Sequence, residues 1–503
     1  MTADGRKLEL IKDGFQIEKA QSEDQVESLI HRTFWPIDIR TTQNIKCRIS
    51  FDSNHIDAVL WRLSPLGGEF LVSESDKALL DAKQEFDLSV DFNGSLCRFK
   101  ALTVCSKVVE DKGTVFGARW VSEIRNRTQT KRSSRRWTCS TAFLPTGMAA
   151  NPHNFHDLIL FRLIDFSDAG MQLKTSLRNK FIIPGMKFSG TFTFPIIGSA
   201  EVKFQVRNTN IDSEGKVDYL RLGVELVDPS RELLLTLGQY AAQFGDYESI
   251  DDLKESGLMV KNFSIFSEVG YCRTKEEFEE VLDLRKRAYE SRIQDPSKRI
   301  GVKAEEFTDI YDTRARILII KHKGKIVASM RLIFNDNGQA MEQEGYVTLP
   351  KDFPDISDII EVSRACIDPA YRSSDLFIRM LKQALYISIE TRRDWFIIAA
   401  PTDLISLYRR CGYKPTKLKY TVQEVAGAEN VELTLMMFNM KRGIRGETVN
   451  PLIWGFWGKE LLQFAKENGM IRLRPTERFR LSIYSFIYGV VSFMLRRRGI
   501  RKK

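Results

Sequence analysis

Three absences narrow the reading of this chain. Its seven cysteines (Cys47, Cys97, Cys105, Cys139, Cys272, Cys366 and Cys411) include no C-x-x-C pair, and none has a histidine at metal-ligand spacing. That argues against a zinc site of the common kinds and against a disulfide framework, so free and mostly buried thiols are expected, with no metal. A helix needs ~20 apolar residues to span a bilayer, and the C-terminal run Leu481 to Leu495 has fifteen. The first ten residues mix acidic and basic side chains and lack the apolar stretch of a secretory signal, so a cytoplasmic location is expected. Charge is unevenly placed: of a net +10, the last eight residues supply +6 through Arg496, Arg497, Arg498, Arg501, Lys502 and Lys503. This favours a local surface contact, and with no aromatic stacking surface or groove-reading helix beside it, a nucleic-acid polymer is not the expected partner.

What is present points to several domains. At 503 residues the chain has room for about three. Between about residues 25 and 230 apolar and polar residues alternate with period two, the sign of half-buried antiparallel sheet. Phe86, Leu88 and Val90 alternate with Asp87, Ser89 and Asp91; Phe188, Phe192 and Phe194 alternate with Lys187, Thr191 and Thr193. The region also repeats itself. Ser64-Pro65-Leu66-Gly67 and a strand containing Gly117 are matched by Ser167-Asp168-Ala169-Gly170 and a strand containing Gly223. Two tandem small β-barrels are predicted.

The second copy carries Arg132-Ser133-Ser134-Arg135-Arg136 and, after it, Asp165-Phe166-Ser167-Asp168-Ala169-Gly170. This pair of motifs, RxxxR and [D/N]xSxxG, resembles the PilZ family over about 100 residues. The resemblance implies binding of cyclic di-GMP, with Arg132, Arg135 and Arg136 on its phosphates and guanine edges and with Asp165, Ser167 and Gly170 lining the base. Arginine's planar fork suits both phosphate and the guanine Hoogsteen edge, and glycine permits close approach. The plainer alternative is a solvated basic linker next to an ordinary turn. The first copy has Arg62 in place of the aspartate and no RxxxR, so it resembles the ligand-silent barrel that accompanies many PilZ domains.

From about residue 268 helices alternate with strands. Thr274 and Glu277 form a capping-box pattern ahead of a helix to Tyr289; a hairpin turns at Lys323-Gly324, with His322 expected on its surface. A buried strand over 359–367, a helix over 375–391, a strand over 396–400, a short helix over 403–410 and two closing strands complete an α/β order with a mixed sheet. This order, with Leu407-Tyr408-Arg409-Arg410-Cys411-Gly412-Tyr413, resembles the GNAT acyltransferases. Within it, Asp309 and Asp312, Arg331, and Glu361-Val362-Ser363-Arg364 resemble the motifs of acyl-homoserine-lactone autoinducer synthases and N-acyl amino acid synthases.

The resemblance implies acyl transfer from a carrier thioester to the amine of an amino acid or related acceptor. Acyl carrier protein is the favoured donor over acyl-CoA, because the phosphate loop of GNAT enzymes would fall at Arg372-Ser373-Ser374-Asp375-Leu376-Phe377, which has no glycine. In that scheme Glu361 is the base, Tyr408 the acid, backbone amides of 364–367 the oxyanion donors, and Arg364 a catalytic-site cation. Arg331, Ser363, Asp309, Asp312 and Arg372 bind substrate. On a regular strand Arg364 would face away from Glu361 and Ser363, so a bulge is needed to gather all three. The alternative is an ion-pair network that docks the acidic segment on the sheet.

The expected fold class is thus multidomain α+β: a degenerate PilZ-like barrel over 1–125, a PilZ barrel over 126–248, a linker over 249–267, a GNAT-like domain over 268–445 and a helical tail over 446–503. Residues 478–503 suit either an interfacial helix on anionic lipid or packing onto the domain. Two functions follow: a cyclic di-GMP-binding N-acyltransferase, or a non-catalytic cyclic di-GMP effector whose GNAT-like domain docks a membrane or protein partner.

Overall fold

The structure is a computed structural model that describes residues 37–38, 45–51, 54–65, 67–73, 75–76, 80, 85–92, 95–109, 113–123, 135–151, 154–214, 217–291, 303–336, 338–423 and 430–501. It forms two compact units. The first comprises 1–246 with 256–259, the second 247–255 with 260–503.

The first unit holds both barrels. Strand β1 (Ile37–Asp38) is followed by β2 (Lys46–Phe51), β3 (Asn54–Leu63), β4 (Gly67–Val72), β5 (Glu85–Phe92), β6 (Ser95–Val109) and β7 (Gly113–Glu123). The order β3-β2-β5-β6-β7-β4 closes through a β3–β4 pairing, giving six antiparallel strands in a ring with β1 added outside β3. The second ring is built the same way from β9 (Thr146–Asn151), β10 (Asn154–Phe166), β11 (Gly170–Ser176), β12 (Lys187–Phe194), β13 (Gly198–Glu214) and β14 (Val217–Leu226), with the short β8 (Trp137–Thr138) against β10. Alternation is the cause: Cys47, Ile49 and Phe51 point in while Lys46 and Arg48 point out. In the second core Phe161, Phe188, Phe192 and Phe204 meet with ring centroids 5.5 to 6.4 Å apart. Helix α1 (Arg231–Phe244), capped by the Ser230 hydroxyl, lays Leu233, Leu237, Tyr240 and Ala241 on this barrel.

The repeat extends to the register. Both β3 and β10 carry an irregularity just before the motif residue, between Leu60 and Arg62 and between Leu163 and Asp165. Both turns close alike, Ser64 N to Gly67 O and Ser167 N to Gly170 O, each at 2.8 Å. Glu69 pairs with Gly117 as Gln172 pairs with Gly223, so Arg62 and Asp165 occupy equivalent places.

The second unit is built on a seven-stranded mixed sheet, β15 (Glu268–Tyr271), β16 (Ala315–His322), β17 (Lys325–Phe334), β18 (Ile359–Ile367), β19 (Trp395–Pro401), β21 (Asn430–Asn439) and β20 (Lys414–Gln423), in that spatial order. The segment read as a linker carries α2 (Ile250–Glu255). Helix α3 (Lys275–Glu290) begins with the full capping box of Thr274 and Glu277, and α4 (Leu376–Thr391) and α5 (Ile405–Arg410) follow the expected order. Among the described residues only the β18–β19 pairing of this sheet is parallel, and its register covers Ile359–Val362 against Trp395–Ile398 and goes no further, although both strands continue. Beyond Val362 that edge of β18 has no strand partner among the described residues. His322 is a correction: it is 1% exposed and its Nε2 lies 3.0 Å from the Tyr247 hydroxyl. Phe263 and Tyr371 also pack against its ring, tilted and edge-on, a tertiary cover that a hairpin pattern does not announce. The chain ends in α6 (Met440–Ile444), α7 (Pro451–Ile453) with a π-helical turn Trp454–Gly458, α8 (Lys459–Glu467) and α9 (Pro475–Arg501).

A Cβ at Gly170 would sit 2.7 Å from the Val224 carbonyl oxygen, which is main chain and cannot swing away. Gly170→Ala is therefore expected to cost about 1–3 kcal/mol, read as a lowered denaturant midpoint of the full chain.

Candidate functional site

In the second barrel Arg136 Nη1 meets Asp165 Oδ1 at 2.7 Å. Burial raises the Asp165 carboxyl, and the Arg136 charge opposes that shift. Arg135 instead donates to the Asp246 carbonyl at 3.0 Å and stacks its guanidinium 4.4 Å from the Trp137 ring. The Ser167 hydroxyl accepts from the amides of Ala169 and Gly170 at 3.3 and 3.1 Å, so it holds the turn. Arg132 lies outside the described residues. The structure thus gathers Arg136, Asp165, Ser167 and Gly170 at one end of β10 and β11. Trp137, Asp246 and Arg221, whose charge also reaches Asp165, are neighbours that the motifs did not include.

In the second unit the required bulge exists. β17 pairs Ser329 with Cys366 and then Arg331 with Ser363, so β18 carries one residue more than β17 across this step. Arg364 takes φ +49 there, a left-handed conformation for a residue with a Cβ. As a result its guanidinium swings onto Asp309, Nη2 to Oδ2 at 3.3 Å, beside the Tyr289 ring. Arg331, from the middle of β17 and with a wholly buried side chain, binds Asp309 at 2.5 Å, Glu342 at 2.8 Å and the Ser363 hydroxyl at 2.9 Å, and lies 3.4 Å from Asp312. Asp312 is gripped by both amino nitrogens of Arg285, at 2.9 and 2.8 Å. Burial alone would raise the Asp312 carboxyl, but the Arg285 and Arg331 charges overcome it and bring it down to about 2.

Glu361 is treated differently. It is fully buried and its two oxygens accept from the amides of Glu342 and Gln343 at 2.9 and 3.0 Å. No guanidinium is recorded on it among the described residues, and burial pushes it up to about 7 against those two hydrogen bonds. Gln343 is held in turn by the Tyr420 hydroxyl, and Tyr420 stacks on Tyr346 with centroids 4.8 Å apart.

Glu361, Ser363, Arg364, Arg331, Asp309 and Asp312 therefore form one connected cluster. Tyr408, on α5, sets its ring against Phe377 in the first turn of α4 and against Tyr413. Arg372 donates to the Ala288 carbonyl at 2.8 Å and to the Ser291 hydroxyl, at the end of α3. Sequence reasoning missed Arg285, Glu342, Gln343 and Tyr420. Arg285 had a signal, because it interrupts the apolar face of Val281, Leu284 and Ala288. Glu342 and Gln343 had none, lying in a connection without periodicity.

The mixed sheet, with its parallel pair parting just past the buried Glu361, lies mostly in a segment that matches a known family. Residues 280–437 match the family model of the N-acyl amino acid synthase FeeM. The solved structure of FeeM, an N-acyl amino acid synthase from uncultured soil microbes, is similar at 13% identity over 36% of this chain and 94% of its own, with a TM-score of 0.28. A probable acetyltransferase from Staphylococcus epidermidis is similar at 9% identity over 34% of this chain and 98% of its own, TM-score 0.26. YcgR from Escherichia coli, in complex with c-di-GMP, is similar at 16% identity over 37% of this chain and 77% of its own, TM-score 0.16. No curated protein matches the chain.

Removing one partner of a buried ion pair leaves the other charge uncompensated, at a cost of about 3–5 kcal/mol. Arg285→Met should lower stability at neutral pH by up to that order, the remaining Arg331 charge 3.4 Å from Asp312 sparing part of it. Because the folded Asp312 carboxyl is depressed, its contribution is present above its unfolded value and lost as pH falls toward about 2. Chemical denaturation at pH 7 and at pH 3 should show the deficit of Arg285→Met shrinking in acid.

Proposed function

We propose that the protein is a cyclic di-GMP-binding N-acyltransferase, joining a long acyl chain from a carrier thioester to the amine of an amino acid or related acceptor. The observation that carries the reading is the bulge at Arg364 inside the family-matched segment, which gathers Glu361, Ser363 and Arg364 beside the open edge of β18. In this reading Glu361 takes a proton from the acceptor ammonium, and its nitrogen then attacks the thioester carbonyl. The C–N bond forms, amides of 364–367 stabilise the oxyanion, and the C–S bond breaks with Tyr408 protonating the departing thiolate and being reprotonated as the new amide nitrogen sheds its second proton. Arg331 is saturated by carboxylates, so it positions Glu361 through Glu342; Arg364, partly exposed, is the cation for the acceptor's carboxylate. Acyl carrier protein is the proposed donor. Arg372, with its guanidinium engaged at the end of α3, is assigned to the donor side. An acyl product of this kind partitions into bilayers, which accords with a location at the cytoplasmic membrane surface.

For the barrel, Arg136 would exchange Asp165 for a ligand phosphate, and Arg132 and Arg135 would close the arm over it, freeing Asp165 for a guanine edge. Titration calorimetry should give one cyclic di-GMP per chain, lost in Arg136→Ala and kept in Arg62→Ala. Binding retained in the first and lost in the second would place the ligand in the other barrel.

The enzyme reading is tested by release of free carrier thiol from long-chain acyl carrier protein with a panel of amino acids. A base held near 7 by burial is ionised above that value, so the rate should climb through about pH 7, and Glu361→Gln should remove on the order of a hundredfold or more of it. The competing reading, a non-catalytic effector, is favoured by the glycine-free segment Arg372–Phe377. It requires cellular function to survive Glu361→Gln and Tyr408→Phe.

A further inference from the structure

Helix α9 is apolar on two opposite faces, one packed within its unit and the other largely exposed. On the inner face Leu481 is 4% exposed, Glu477 faces Arg445, the Tyr484 hydroxyl donates to the Gly446 carbonyl at 3.1 Å, and Tyr488 covers Gly455 so closely that a Cβ there would lie 2.3 Å from its ring. These contacts fix the rotation of the helix. The opposite face then presents Phe479 (71% exposed), Ile483 (41%), Phe486 (72%), Phe493 (56%) and Met494 (55%). At about 100° per residue these positions, spaced 4, 7, 14 and 15 from the first, fall within one stripe about 100° wide. Leu452 and Phe456, four residues apart on the segment packed against α9, are exposed too.

The charge at both ends of the helix is basic. Arg472, Arg474, Arg478 and Arg480 surround its start, and Arg496, Arg497, Arg498, Arg501, Lys502 and Lys503 follow the stripe in the sequence. This distribution selects the occupant. A second copy pairing stripe to stripe would bring like charges together whether the two helices ran parallel or antiparallel, because neither end is acidic. An anionic lipid surface meets both ends favourably and takes up the aromatic row between them. No helix among the described residues is long and apolar enough to cross a membrane, and α9 is pinned to its own domain by one face.

We propose that α9 is a membrane-docking surface that seats the second unit on anionic phospholipid through Phe479, Ile483, Phe486, Phe493 and Met494. The inference goes beyond the acyltransferase reading and stands or falls without it. The test is co-sedimentation of the full chain with vesicles of phosphatidylglycerol and phosphatidylcholine in equal parts. Binding is expected at low salt, weakened by high salt and by vesicles of phosphatidylcholine alone. Phe479→Asp with Phe486→Asp should reduce partitioning by about tenfold or more. Phe486→Trp, which keeps the surface apolar, should show a blue-shifted emission when vesicles are added. The proposal is overturned if the wild type stays in the supernatant, if the double variant sediments as fully as the wild type, or if the tryptophan emission does not move. A concentration-dependent dimer that the double variant abolishes, without vesicle binding, would also overturn it and give the face to a second copy.

Discussion

The second unit depends on the neutralisation of one guanidinium. Arg331 leaves the centre of β17 with its side chain wholly buried, and an ion so placed costs several kcal/mol unless its partners are close and well aimed. Its partners come from two connections: Asp309 and Asp312 from the segment before β16, Glu342 from the one between β17 and β18. Both connections must therefore dock for the charge to be tolerable. Docking the second brings the amides of Glu342 and Gln343 onto Glu361. The setting of the glutamate is thus a consequence of where an arginine on the adjacent strand, opposite Ser363, finds its counter-ions. The same logic sustains the bulge: a left-handed residue with a Cβ costs roughly 1–2 kcal/mol, and Arg364 offsets it with Asp309 and Tyr289.

The two barrels separate frame from chemistry. They share ring order, the irregularity ahead of the motif residue and the Ser–Gly turn. What differs is charge at one equivalent place, where Asp165 faces Arg136 in one barrel and Arg62 lies 3.7 Å from Glu69 in the other. A closed sheet of this kind holds its register by inward packing of Phe and Leu, so outward residues at the strand ends can change sign without disturbing the frame.

Much of the frame was legible because it is locally determined. Alternation located the barrel strands, the Thr274–Glu277 box located α3, and the buried strand expected over 359–367 matches β18 residue for residue. The cluster was legible only in part. Asp309, Asp312, Arg331 and Glu361 stand in short motifs, whereas Arg285 was hidden as one charged residue on an apolar helix face. Its meaning depends on Asp312 lying across from it in space. The bulge could be required by argument but not read, since nothing in Ser363-Arg364-Ala365 advertises a positive φ. His322 failed for the opposite reason: its local pattern was a surface hairpin, and distant aromatic residues cover it.

The same burial acts on two carboxylates of this cluster with opposite results. Asp312 meets a forked guanidinium and is driven down to about 2, so it is a fixed anion over the whole physiological range. Glu361 meets two neutral amides, which cannot outweigh desolvation joined by the nearby Glu342 charge, and is carried up to about 7. The contrast follows from the kind of donor each one faces, a full charge against a dipole. It follows that the amides are what make Glu361 adjustable: were a guanidinium to replace them, the residue would become a second structural anion with no proton to exchange near neutrality. Arg331 is close enough to organise the amides, through Glu342, while spending its own charge on other carboxylates. A network that looks like mere ion pairing around Asp312 therefore also creates, at its far end, a carboxylate held out of reach of its cations.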